Sequence, residues 1–239
     1  MKHAISILAV VGGAVFVAGA PGPKPTPPKE DFGPITDVQL RDATNNLKQI
    51  ALAWHNFEAV NGHFPSNQVD GTGKPLLSWR VQILPYIEED RLYKQFKLNE
   101  PWDSEHNKKL IDQMPKLYTP IRGKAEAGKT FYQCFTGKNG LIKSGQVTRL
   151  LSVTDGTSNT FLAVEAAKPV TWTKPDDLVF DGKVVPDLGG MFNGRFHAAY
   201  CDGSVYRFRK GVDPKILGLL IDPNDGNVIP DLKDSLDKE

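Results

Sequence analysis

Cysteine is scarce in this chain: only Cys134 and Cys201 occur in 239 residues. Two cysteines cannot build a disulfide scaffold; they are compatible with one bridge in an oxidising compartment or with two buried thiols. An excess of charge is missing as well. With 29 basic and 28 acidic residues the formal net charge is +1, which leaves no electrostatic case for nucleic acid or for an anionic membrane surface. Metal-ligand spacing is absent too, since none of His55, His63, His106 and His197 has a partner at the intervals metal sites use. No cofactor is expected.

Long apolar runs are confined to the N-terminus. Met1-Lys2-His3 precedes an uncharged stretch from Ala4 to Ala20 that closes on Ala18-Gly19-Ala20, the pattern of a secretory signal cut after Ala20. The stretch is shorter than the roughly 20 apolar residues of a membrane span and is interrupted by Gly12, Gly13 and Gly19. Pro21 suits a cleavage site poorly, which leaves an uncleaved anchor as the alternative, and membrane contact is expected only in that case. No cysteine follows to carry a lipid. Residues 21–34 hold six prolines and read as an extended linker, and 35–239 read as a single domain.

Thr36-Asp37-Val38-Gln39 has the capping-box form, and Leu40, Ala43, Leu47, Ile50, Trp54 and Phe57 recur at helical steps up to Asn61-Gly62. That predicts one amphipathic helix of about 25 residues whose apolar stripe needs a sheet to cover it. Residues 78–96 read as a helix broken at Pro85, and 104–114 as a third helical piece. Short strands are expected over 130–135, 147–153, 160–165 and 196–201. Asp202-Gly203 suggests a tight I′ hairpin into 204–208, with a last helix over 213–221. Helices first and antiparallel strands later make an α+β fold.

Motif matches are weighed by their context. Gly123 to Thr130 (GKAEAGKT) fits the phosphate-loop formula, but no strand enters it and a strand-like run leaves it where a helix is required. Asp222 to Asn227 imitates a calcium loop, yet Lys233 stands where the bidentate Glu belongs, and a plain turn fits better. His55 reads as a hydrogen-bonded structural histidine. Ser158, His197 and Asp155 offer the residue types of a hydrolytic triad without a nucleophile elbow, and Asp155, Glu165 and His197 are general acid–base candidates if they converge. Trp79, Trp102 and Trp172, with Asp155 and Asn159, would form a glycan- or peptide-binding surface if the indoles were exposed.

Six segments, 45–65 (NNLKQIALAWHNFEAVNGHFP), 78–96, 99–111, 154–166 (TDGTSNTFLAVEA), 170–178 and 196–208 (FHAAYCDGSVYRF), occur in the order found in the large planctomycete family called domain of unknown function 1559, which the chain resembles over about Thr44 to Phe208. The resemblance implies a pilin-like fold, a long N-terminal helix on an antiparallel sheet. It implies no activity. The chain departs from that family in lacking the prepilin leader motif. Phe192 stands where members often carry a histidine, with His197 displaced, and Thr119 stands for a frequent cysteine, so Cys134 and Cys201 would have to pair differently, if at all. These readings together predict an exported cell-envelope protein without enzymatic activity, whose partners are envelope proteins or further copies of itself. An extracellular glycan- or peptide-binding module is the alternative, and a hydrolase follows behind it.

Overall fold

A computed structural model describes residues 33–237 apart from 124 and 144. The signal segment and most of the proline-rich linker therefore lie outside the described residues. Helix α1 (Asp37–Asn61) runs the full predicted length, and both ends form as the sequence dictates. Thr36 Oγ1 accepts from Gln39 N at 3.3 Å while Gln39 Oε1 accepts from Thr36 N at 3.1 Å, and Gly62 stops the helix at φ 74° with its N–H on Glu58 O. Ala43, Leu47, Ile50, Ala51 and Trp54 form its buried stripe. Just before α1, the buried guanidinium of Arg122 donates to Pro34 O at 3.0 Å, to Gly33 O, and to Gln39 Oε1 at 3.4 Å, pinning the chain where it enters the domain.

The stripe packs on a sheet of four antiparallel strands, β1 (Lys129–Gln133), β3 (Phe161–Thr171), β5 (Phe196–Tyr200) and β6 (Val205–Phe208), in the order β1-β3-β5-β6. Side chains alternate across the strands. Tyr132, Ala163, Ala199 and Cys201 join the core beneath α1, whereas Phe161, Val164, Phe196, Ala198, Tyr200 and Phe208 join a second core. That second core is shared with Leu217, Leu220 and Ile221 of α4 (Pro214–Ile221). Every residue of β5 is buried because both of its faces are covered. The arrangement is α+β, as expected. A two-residue parallel pair, β2 (Phe135–Thr136) with β4 (Leu178–Val179), adds a small second sheet.

Several local expectations need correction. Residues 78–96 break into α2 (Trp79–Gln82), a 3₁₀ turn over Leu84–Tyr86 and α3 (Asp90–Tyr93), with Glu88 at φ 64° between the last two. Residues 107–113 form a 3₁₀ helix. The strand expected over 147–153 does not form: Val147 and Leu151 face solvent, Leu151 at 92 % exposure, and a 3₁₀ turn spans Leu150–Ser152. The hairpin turn is also not I′, because Gly203 has φ 87° but Asp202 is not in the left-handed region. Gly203 N bonds Tyr200 O and Tyr200 N bonds Ser204 O, each at 2.9 Å, giving the three-residue bulged loop. Asp202 Oδ1 favours this form by accepting from Ser204 N at 2.8 Å.

Candidate functional site

In the TDGTSNT loop the Asp155 carboxylate and the amide N–H of Asn159 are engaged within the protein, while Ser158 is exposed. Asp155 Oδ2 accepts from Asp225 N at 2.6 Å and Oδ1 from Gly226 N at 3.0 Å. Asn159 Nδ2 closes back on Asp155 O at 2.9 Å. From the other side, Asn224 Nδ2 donates to Ser152 O and Thr154 Oγ1. The calcium-like segment 222–227 is thus a turn held by this loop. The loop also holds the hairpin, through Cys201 N on Thr160 O and Asp202 N on Thr157 O. A carboxylate that accepts two backbone N–H groups is a clasp, and these bonds occupy the atoms proposed for a ligand.

The tryptophans correct the binding-surface reading in the same way. Trp79 and Trp172 are fully buried, and Trp102 is partly buried with Lys174 Nζ 5.7 Å from its ring centre. Trp172 Nε1 donates to Ile111 O at 2.9 Å, and its ring stacks on Tyr118 at 5.9 Å and meets Phe96 edge-on at 5.7 Å. Trp79 Nε1 donates to Asp177 Oδ1 at 3.1 Å. Asp177 is the centre of a buried network. Arg80 Nη2 lies 2.6 Å from the same oxygen with both side chains fully buried, Cys134 N adds a bond at 3.1 Å, and Asn67 Nδ2 reaches Oδ2 at 2.8 Å. Arg80 also donates to Tyr132 O and Ser78 Oγ. Sequence reasoning missed Arg80 and Asp177, which stand far apart in the chain and carry no motif.

Of the acid–base candidates, two converge. Glu165 Oε2 accepts from both His197 N and His197 Nδ1, each at 2.8 Å, with the side chains 0 % and 1 % exposed. The pair has a local structural cause. At Glu165, β3 leaves β5 and bonds the 187–190 segment instead, with Gly189 N on Glu165 O and Gly190 N on Ala166 O. The carboxylate takes the place of a main-chain acceptor for His197 N at the point where the ladder parts. Phe192 covers the imidazole edge-on at 5.3 Å. Asp155 is committed to its clasp and Ser158 is exposed, so neither the triad nor the three-residue acid–base set assembles.

Cys134 and Cys201 are free and buried, so the bridge considered from the sequence is not formed. They belong to the β1 and β5 ends of the sheet with β3 between, roughly two strand spacings of about 5 Å apart, against about 6 Å between the Cα atoms of a bridge. Burial pushes both thiols well above the ordinary range. The phosphate-loop look-alike runs straight into β1 at Lys129. Among the described residues, no group of three or more His, Cys, Asp or Glu could hold a metal, and no helix is long and apolar enough to cross a membrane.

One open feature was not foreseen. A cavity of about 580 Å³ lies between Asp42, Asn45, Asn46 and Gln49 on the polar face of α1 and the segment 116–121. Asn46 Nδ2 donates to the buried Tyr132 hydroxyl at 3.2 Å. The i, i+3, i+4, i+7 spacing of these polar side chains is visible in the sequence, but the facing wall is not.

A family model described as a protein of unknown function (DUF1559) matches residues 41–121. No curated protein and no solved structure matches the chain.

Proposed function

We propose that this chain, whose residues 41–121 match the model of a family of unknown function (DUF1559), is an exported cell-envelope protein whose domain works by contact with other proteins and not by catalysis. The observation that carries this reading is the fate of the polar residues. Asp155 and the amide N–H of Asn159 are spent on the clasp, Asp177 and Arg80 on each other, and Glu165 Oε2 and His197 Nδ1 on the parting of two strands, with Glu165 Oε1 and His197 Nε2 buried beside them without a partner among the described residues. Chemistry needs at least one such group within reach of a substrate. The Glu165–His197 pair is sealed under Phe192, and a substrate would meet it only if the sheet opened. Export rests on the N-terminal signal pattern, with the proline-rich stretch as a spacer between membrane and domain. A scaffold of this kind offers a rigid surface on which partners, or further copies, can dock.

Cross-linking of intact cells followed by gentle extraction tests the reading. The expected result is a complex larger than the single chain, recovered from the envelope fraction and processed after Ala20. A monomer in the cytoplasmic fraction would overturn it.

A further inference from the structure

We propose that copies of this chain associate head to tail, with Leu151 of one copy seated in an apolar pocket at the far end of the next. The assignment rests on the protein-contact reading above and names the partner and the contact.

The projecting half is built by the clasp. Leu151 and Val228 are the two most exposed large apolar side chains among the described residues, at 92 % and 90 %. Neither sits on a loose end. Leu151 lies in the 3₁₀ turn Leu150–Ser152, whose Ser152 O takes the Asn224 amide, and Val228 follows the 225–226 backbone held by Asp155. An apolar side chain fixed in place in solvent gains from burial and loses little freedom on binding.

The receiving half is where the second core comes to the surface. A pocket of about 200 Å³ lies between Val185, Leu188, Phe196, Val212 and Leu217, all members of that core or packed on it. An apolar cavity of about 150 Å³ accepts a benzene molecule, so this one admits a leucine side chain.

The two halves cannot meet within one chain. Helix α4 begins at the pocket, with Pro214 in its lining, and ends at Ile221, where the clasped segment 222–226 begins. Strand β5 spans the same interval, from Phe196 at the pocket to the Cys201–Asp202 end that the TDGTSNT loop holds. Eight helical residues cover about 12 Å and five strand residues about 17 Å. One chain therefore carries a projection at one end and its socket at the other, so a second copy supplies both missing halves. Such a contact is heterologous and repeats from copy to copy without closing on a pair. Arg149 beside the projection and Asp187 at the pocket edge are both exposed and opposite in sign, which fixes the orientation of docking more than its strength. So small a contact is weak in dilute solution, and copies tethered to one surface supply the local concentration it needs.

The test is sedimentation of the full-length protein over a concentration series. Average mass is expected to rise with concentration past that of a dimer, and Leu151→Ser to raise the concentration needed at least about tenfold. Val185→Asp should do the same by placing a charge in the pocket, with its fold checked by circular dichroism. The decisive sample is the mixture of these two variants. Each keeps one good half, so together they should form a pair and nothing longer. Independently, Leu151→Cys/Val185→Cys should oxidise to a ladder of linked copies while the buried Cys134 and Cys201 stay silent. A monomer throughout the series, association unaltered by Leu151→Ser, a mixture that forms no pair, or a double-cysteine chain that gives no ladder would each overturn the proposal. If the protein stays monomeric while the cross-linked cellular complex holds other proteins, the head-to-tail contact falls and the protein-contact reading stands.

Discussion

Replacing Asp177 by alanine removes the anion from a buried centre. Arg80 would remain fully buried with two neutral acceptors, Tyr132 O and Ser78 Oγ, and no counter-charge. Breaking a buried pair by removing one partner costs about 3–5 kcal/mol. The N–H groups of Trp79 and Cys134 would lose their acceptor as well, each at about 1 kcal/mol or more, although the terms share one cavity and do not add fully. A total near 5 kcal/mol is expected, which for a domain of this size lowers Tm by roughly 10–20 °C. Urea unfolding of Asp177→Ala, Asp177→Asn and Arg80→Met/Asp177→Leu separates the contributions. The asparagine keeps acceptors and should lose less than the alanine. The apolar pair removes both charges but still strands the two N–H groups, so it should recover only about half the loss. A cost below about 1 kcal/mol for Asp177→Ala, or a double variant no better than the single one, would refute the view that this pair organises the core.

Asp155→Ala should cost about 2 kcal/mol through its two charge-assisted bonds and raise hydrogen exchange at Asp225 and Gly226 about 30-fold; unchanged protection there would contradict the clasp. Gly190→Ala would set a Cβ 2.1 Å from Ala167 O and 2.9 Å from the Phe131 ring, so the variant should fail to accumulate as folded protein on expression. Burial raises both thiols above their unfolded value, so their contribution is intact below about pH 8.5 and is lost as the pH rises above it and the unfolded chain ionises. Alkaline unfolding curves should therefore flatten in Cys201→Ala, and a thiol reagent at pH 8 should leave both cysteines unmodified until the protein unfolds.

The long helix was legible because its signals are local. The cap residues Thr36 and Gln39, the stop at Gly62 and the apolar steps between them all act within one or two turns of chain. Strands were legible where both faces became buried, as in 196–200, and misread where apolar residues meet nothing: Val147 and Leu151 have the composition of a strand but no neighbour to cover them. The bulged hairpin was missed because Asp-Gly permits more than one turn, and the choice falls to the bond from Ser204 N to Asp202. For the candidate site, residue type alone could not say that Trp79 and Trp172 point inward or that Asp155 faces the 225–226 backbone. Glu165 and His197 were named as residues that would matter if they met. They do meet, at a parting of strands that only the register reveals. The groove was half visible, since the run of polar side chains at 42, 45, 46 and 49 announces exposure but not what stands opposite.

Arg122 carries a mechanical consequence. Because its guanidinium grips the carbonyls of Gly33 and Pro34, tension applied to the chain ahead of residue 33 is delivered first to this buried cation and the 116–122 segment around it, before the first turn of α1 feels any pull. Stretching from the N-terminal end would shear those bonds against the 116–121 segment, so strain on the chain ahead of the domain and the shape of the surface beside α1 are joined through one side chain.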